Sequence, residues 1–450
     1  MKKLQLITFI ILISFSAYSK ESKFKSLELF NKVLYLIESK YYRNVDSEKL
    51  IEGALKGMMN TLDPHSLYLN KRVFKKMQED TNGEFGGLGV EVSQKDGVIT
   101  VITPIEDSPA YKAGVKPGDK IVEINHNSTI GLSLEKSILL MKAKKGEKVL
   151  IGLMRQGHDD IIRKEIVKSV IKINPVNSKL IDHNYVYLRL KQFQKGAGSS
   201  ISKNLFKLIK KSKKYGGTKG IILDLRNNPG GLLDEAVKVS SIFLESGVVV
   251  STESRDPKEK EIRYVIKTGK KILEIPLVVL INSSSASASE IVTGALKDHK
   301  RALIMGKTSF GKGSVQTIAK ISKNQGIKLT IAQYMTPLGK KIQAIGIKPD
   351  IELPSNEGNW VEKNSIIDTS VRERDLKNHL NATIETKEEK QIRLEKEKIE
   401  RKNRISEYKK WKKNKKVNKN KIKETSDKDY WVFLAKRQLK SIAIYKSLRH

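Results

Sequence analysis

The chain has 450 residues, 38% of them apolar and 30% charged, enough for two or three domains with substantial cores. It contains no cysteine, which excludes a disulfide framework, a zinc–thiolate site and a lipidated N-terminal cysteine. Its seven histidines include no H-E-x-x-H pair, so a metal hydrolase has no support, and its net charge of +36 attracts polyanions.

Residues 1–19 carry the features of a secretory signal peptide. Lys2 and Lys3 precede the apolar-rich stretch Leu4–Phe15 and the small-x-small site Ala17-Tyr18-Ser19. That stretch is shorter than the roughly 20 residues of a membrane span. The expected location is a bacterial periplasm or cell envelope, with inner-membrane association through an uncleaved anchor as the alternative. Export removes nucleic acid as a partner and leaves anionic lipid as the polyanion within reach. Residues 20–82 read as helical: Phe24, Leu27, Phe30, Leu34 and Ile37 recur at helical spacing, and Leu50, Ala54, Leu55 and Met58 repeat it. Asp63-Pro64 breaks the pattern with turn chemistry, and His65 is read as a structural histidine in that turn.

Residues 83–170 read as a small β-rich module. Gly86, Gly87 and Gly89 permit a loop whose N–H groups converge on a carboxylate, Val98–Val101 reads as a strand, and Leu132–Met141 as a helix flanking a groove. Residues 171–354 alternate strand and helix as in an α/β core. Its strands are expected at Tyr185–Leu190 and Gly220–Leu225, its helices at Ser200–Lys211 and Leu232–Phe243. The turn Pro229-Gly230-Gly231 follows a strand and precedes a helix, so the N–H of Gly230 or of Gly231 is a candidate for half of an oxyanion hole; the sequence does not choose. Residues 355–450 form a charged, helical tail with Glu early and Lys later, read mainly as a solvated segment. Its Lys block offers attachment to an acidic adaptor or an anionic membrane surface, and Tyr430–Tyr445 regains the apolar character of a docking helix.

The densest signal lies between Pro276 and Gln316. A buried-strand pattern, Pro276–Asn282, runs into serines at 283, 284, 285, 287 and 289 and then into a helix from about Glu290 to Lys297. Serines before a helix are usually caps. At a strand-to-helix junction they also serve hydrolases, because the turn lifts a hydroxyl toward substrate and aims helix N–H groups at an oxyanion. Lys312 follows between Gly311 and Gly313, with Gln316 four residues on.

These residues resemble the carboxyl-terminal processing peptidases, Ser/Lys endopeptidases with an embedded PDZ domain. The likeness rests on S-A-S-A-S-E and F-G-K-G in the core, L-D-P-H-S-L-Y-L at Leu62–Leu69, G-E-F-G-G-L-G-V-E-V at Gly83–Val92, and S-P-A-Y-K-A-G-V-K-P-G-D-K-I from Ser108. It continues in D-L-R-N-N-P-G-G-L-L at Asp224–Leu233 and Y-M-T-P-L-G-K-K-I-Q at Tyr334–Gln343, covering roughly residues 30–380 in family order. One small departure is Ser284, near which the family often has a glycine. The resemblance implies Ser287 as nucleophile, Lys312 as base, Gln316 as the lysine's support and the Ala288 N–H as an oxyanion donor. It also implies a tail-binding loop at Gly87, Leu88, Gly89 and Val90, which would grip a free C-terminus by adding it to a sheet edge.

Other readings of the same residues are weaker. A Ser287–His299–Asp298 triad would need contact across twelve helical residues, about 18 Å. G-K-T-S-F-G-K-G at Gly306–Gly313 nearly matches a phosphate-binding loop, but Gly313 stands where Ser or Thr would hold magnesium. A catalytically silent PDZ scaffold would have no reason to keep Ser287, Lys312 and Gln316 together. The expected architecture is thus an α/β (α+β) multidomain chain. It comprises a helical N-terminal region, an inserted PDZ module, an α/β serine-peptidase core at 171–354 and a charged helical tail. It is expected to act on proteins or peptides with free C-termini, without cofactor or metal; a homo-oligomer is left open.

Overall fold

The computed structural model describes residues 24–354, 371–380 and 429–448, apart from 96, 142–145, 159 and 377, together with positions 391, 395 and 399. The signal-peptide reading and most of the tail lie outside the described residues.

The peptidase core is built on a six-stranded sheet in the order Val176–Ile181, Tyr185–Leu190, Gly220–Asp224, Leu277–Ile281, Leu303–Gly306, Ile351–Glu352. The first pair is antiparallel and the rest are parallel. Gly220–Asp224 and Leu277–Ile281 are buried along their whole length, which is why they read as continuous apolar runs rather than alternating ones. Strand period still sorts their side chains. Val186, Leu188, Ile221, Leu223, Val279 and Ile281 face one layer, with the helices Ala197–Ser212, Leu233–Phe243 and Ala288–Asp298. Tyr185, Tyr187, Ile222, Val278 and Leu280 face the other, closed by Val432, Ala435 and Leu439 of the helix Tyr430–Ser447. The apolar tail segment is therefore part of the core. At its entry Arg226 bridges Asp224 and Asp429, and Trp431 Nε1 donates to the Pro354 carbonyl at 2.8 Å.

A second sheet places Ser314–Lys320 and Val248–Ser254 on Gly326–Met335, and the N-terminal region joins it through Leu67–Leu69. The helix over 24–40 and the Asp46-capped helix Ser47–Asn60 lead to the turn at Asp63-Pro64. There the Asp63 carboxylate accepts from the N–H groups of His65 and Ser66, the Ser66 hydroxyl and the Thr330 hydroxyl. His65 reaches farther than a turn residue need: its Nε2 lies 2.8 Å from both carboxylate oxygens of the buried Glu373.

The PDZ module is a five-strand path, Val90–Lys95, Val98–Pro104, Lys120–Ile124, Lys148–Met154, Ile162–Val167, with the short helices Pro109–Lys112 and Leu134–Leu140. Its separate core includes Ile99, Val101, Ile121, Ile124, Val149, Ile151 and Leu153. Gly86 and Gly87, read as loop, instead end a strand, Glu84–Gly87, because Ser169–Lys172 returns antiparallel beside it and supplies the ladder partners.

Candidate active site

Ser287 lies where the strand Leu277–Ile281 turns into the helix Ala288–Asp298, with φ +54° and ψ −113°. A non-glycine residue in that region costs about 1–3 kcal/mol and persists only where its surroundings hold it. The hydrogen bonds sort the serines. Ser285 and Ser289 are fully buried and donate to the carbonyls of Leu225 and Asn228, at 2.8 and 3.0 Å. Ser287 holds the N-cap position of a capping box, its side chain facing the Glu290 N–H while the Glu290 carboxylate reaches back to the Ser287 N–H at 2.8 Å. Unlike Ser285 and Ser289, its hydroxyl donates to no protein acceptor among the described residues.

The Pro229-Gly230-Gly231 turn packs directly on this junction. Gly230 has φ +101°, and a Cβ there would come 2.8 Å from Ser287 Cβ and 2.9 Å from the Ala288 nitrogen, so only glycine fits. Its N–H is donated to Asn228 Oδ1 at 2.9 Å. Among the described residues no protein acceptor takes the N–H of Gly231 or of Ala288. Asn228, which the sequence reading missed, is fully buried and also donates from Nδ2 to the Leu190 carbonyl, fixing the turn.

Lys312 lies on the loop before Ser314–Lys320. Burial lowers its pKa to about 8, helped by the neighbouring Lys328 cation and opposed by Glu373, Glu290 and Asp63. A Cβ on Gly313 would sit 2.5 Å from the Gln343 nitrogen, so glycine is needed for the close approach of that segment over the lysine. Gln343 Oε1 in turn accepts the Gly313 N–H at 2.9 Å, and its Nε2 donates to Glu373, the partner of His65. Gln316 Nε2 donates to the Ser314 carbonyl and hydroxyl, at 3.0 and 2.8 Å.

One fully buried residue joins the two loops. Glu290 Oε2 accepts the N–H of Ser287 and the N–H of Lys312, each at 2.8 Å, while Oε1 accepts the Gly311 N–H at 2.7 Å and the Ser309 hydroxyl. The glycine loop that resembled a phosphate binder thus encloses an anion, but the anion is the protein's own carboxylate. His299, the other candidate base, sits at the far end of the helix with Nε2 2.7 Å from the Val248 carbonyl, and Asp298 accepts the Leu338 N–H. No group of three or more His, Cys, Asp or Glu suited to a metal ion occurs among the described residues.

In the PDZ module the carbonyls of Leu88 and Gly89 are tied inward, to the Ala110 N–H at 2.9 Å and to the Ile105 N–H and Ser108 hydroxyl. Leu88 is buried in the module's core with Val90 packed against it. The strand starting at Val90 is the last of its sheet path, and its outer edge has no strand partner among the described residues. A Cβ on Gly86 would lie 3.8 Å from Lys168 Nζ, so an ammonium stands next to the glycine segment.

Comparison with known proteins agrees with this geometry. Residues 184–353 match peptidase family S41, residues 86–166 a PDZ domain, and residues 13–73 the N-terminal domain of the activating protease CtpB. The chain is 40% identical over 374 residues to the carboxy-terminal-processing protease of Bartonella bacilliformis, covering 83% of this chain and 85% of that one. The chain belongs to the carboxy-terminal processing protease family. It is a serine peptidase with a PDZ domain. Another family member, the carboxy-terminal processing protease CtpA of Bacillus subtilis, is 37% identical over 342 residues, 75% of this chain and 71% of that one. A solved family structure, the photosystem II D1 C-terminal processing protease, is similar at 28% identity with a TM-score of 0.41, covering 72% of this chain and 92% of that one.

Proposed function

We propose that this chain is an exported endopeptidase in which a Ser287–Lys312 dyad cuts proteins selected by their free C-termini. The observation that carries the reading is the meeting of a strained Ser287, whose hydroxyl donates to no protein acceptor among the described residues, with a lysine of lowered pKa whose backbone N–H shares the same carboxylate oxygen. Neutral Lys312 takes the proton of Ser287 Oγ as the oxygen attacks the scissile carbonyl. The N–H groups of Ala288 and Gly231 receive the oxyanion; Gly230 is the poorer candidate because its N–H is spent on Asn228. Lys312 then returns the proton to the leaving amine, and a water deprotonated by Lys312 hydrolyses the acyl-enzyme. Gln316 supports the lysine once its side chain turns from Ser314. The signal peptide at 1–19, the module limits 83–170 and 171–354, and a periplasmic or envelope location belong to the same reading.

The test of the base is the pH profile. A lysine acting as base must be neutral, so activity is lost as pH falls through its pKa and gained as pH rises. With a pKa of about 8, kcat/KM is expected to rise about tenfold between pH 7 and pH 9. A profile that levels off near pH 6.5 and changes in a His299 variant would assign the base elsewhere.

Tail selection follows from the glycine segment and the open strand edge. A peptide ending in small apolar residues adds to the edge at Val90, its terminal carboxylate taking N–H groups of Gly87, Leu88, Gly89 and Val90, with Lys168 nearby. Amidating the terminus removes the charge and one acceptor, so affinity for the Ser287→Ala protein is expected to drop about tenfold or more. Equal affinities of free-acid and amidated peptide in a titration would show that selection lies elsewhere.

A further inference from the structure

Ser287 and Lys312 are 25 positions apart on different loops, and nothing in either loop alone sets their separation. The structure assigns that task to Glu290: we propose that its buried carboxylate is a positioning residue that clamps the backbones of Ser287 and Lys312 to one oxygen and so sets the reach of the base to the hydroxyl. This inference rests on the Ser287–Lys312 reading above.

Both N–H groups lie 2.8 Å from Glu290 Oε2, so their nitrogens are at most twice that distance apart. The other oxygen is held by the Gly311 N–H and the Ser309 hydroxyl, which prevents the carboxylate from rotating. Four donors and no acceptor face the two oxygens, an environment that only an ionised carboxylate satisfies completely; burial opposes them and raises the Glu290 pKa to about 7, so the clamp is fully formed only above that pH. A single oxygen shared by two donors gives neither loop room to move independently. Glu290 also lies in the first turn of the helix whose first N–H, that of Ala288, is proposed for the oxyanion, so the same anchor orders nucleophile, base and oxyanion donor. A helix-capping role alone would require the Ser287 N–H contact, whereas the bonds to Ser309, Gly311 and Lys312 reach 19 to 22 residues along the chain from Glu290.

Glu290→Gln keeps the shape but replaces one acceptor oxygen by an NH2 group that faces N–H donors. A displacement of about 1 Å at a reacting centre costs on the order of a hundredfold in rate. The expected result is therefore a kcat about a hundredfold lower with KM, and PDZ affinity for a free-acid tail peptide, unchanged. Glu290→Asp keeps the charge but falls short of both donors and is expected to recover part of the lost kcat. Ser309→Ala removes only the hydroxyl that pins Oε1 and is expected to lower kcat about threefold or more at constant KM; it serves where Glu290→Gln does not fold. Loss of activity that only follows the unfolded fraction in a thermal melt, or a kcat within twofold of wild type in Glu290→Gln or in Ser309→Ala, overturns the clamp. Ser287→Ala and Lys312→Ala are assayed alongside. If they retain cleavage the dyad reading fails, whereas if they are inert while Glu290→Gln is normal only the clamp fails.

Discussion

Ser287→Ala is expected to reduce cleavage of a tail-bearing peptide by about 10⁵- to 10⁶-fold, the scale on which losing a serine nucleophile acts. The protein should remain folded, since the Ser287 hydroxyl donates to no protein acceptor among the described residues and the turn is held by Glu290, Ser285 and Ser289. Lys312→Ala is expected to be comparably inert, because the dyad reaction then has no base for the serine proton. Lys312→Arg should fail as well: a guanidinium does not deprotonate near neutral pH and so cannot act as base. EDTA should leave the wild-type rate unchanged, as no step in the dyad reaction uses a metal. These are single-point rate measurements on purified protein with a thermal melt as control. Near-normal cleavage by Lys312→Ala would remove the Ser/Lys assignment, and inhibition by EDTA would direct attention to a bound ion.

Leu439→Ala is expected to be strongly destabilising although it lies far from the active site in sequence. Leu439 is fully buried, and its side chain occupies the space above Gly220, where a Cβ would come 2.9 Å from Leu439 Cδ1. It belongs to the cluster with Tyr187, Ile222, Val278 and Leu280 on that face of the sheet. Truncating a buried leucine costs about 2–5 kcal/mol. At roughly 2–4 °C per kcal/mol for a domain of this size, the melting midpoint should fall by about 4–20 °C. The strand Leu277–Ile281 of that same sheet leads into Ser287, so residual activity should decline at lower temperature as well. A midpoint within 2 °C of wild type would mean that the helix Tyr430–Ser447 is a dispensable cover.

Much of this protein is legible without coordinates, for a definite reason. Strand and helix periodicity, turn residues and short motifs are local properties, and they place the strand before Ser287, the helix after it, the glycine turn at 229–231 and the apolar segment at 430–445. The family likeness rests on contiguous strings of the same kind. What the sequence leaves open are choices made by groups distant in the chain. Five serines stand near the junction, and only folding ties Ser285 to the Leu225 carbonyl, 60 positions away, and Ser289 to that of Asn228, 61 away, while setting Ser287 between them at positive φ. Gly230 and Gly231 are equivalent as letters; the Asn228 carboxamide separates them by taking one N–H. His65 reads as a turn residue, and its pairing with Glu373, 308 positions on, has no local signature. Lysines are abundant, but Lys312 acquires a pKa of about 8 because three-dimensional packing removes its water and sets Lys328 beside it. Glu290 stood in view as the last letter of S-A-S-A-S-E, yet its function as a clamp depends on four donors drawn from two loops. A hydrogen-bonded anion at the centre of a fold is defined by what surrounds it, and those surroundings exist only after the chain has closed on itself.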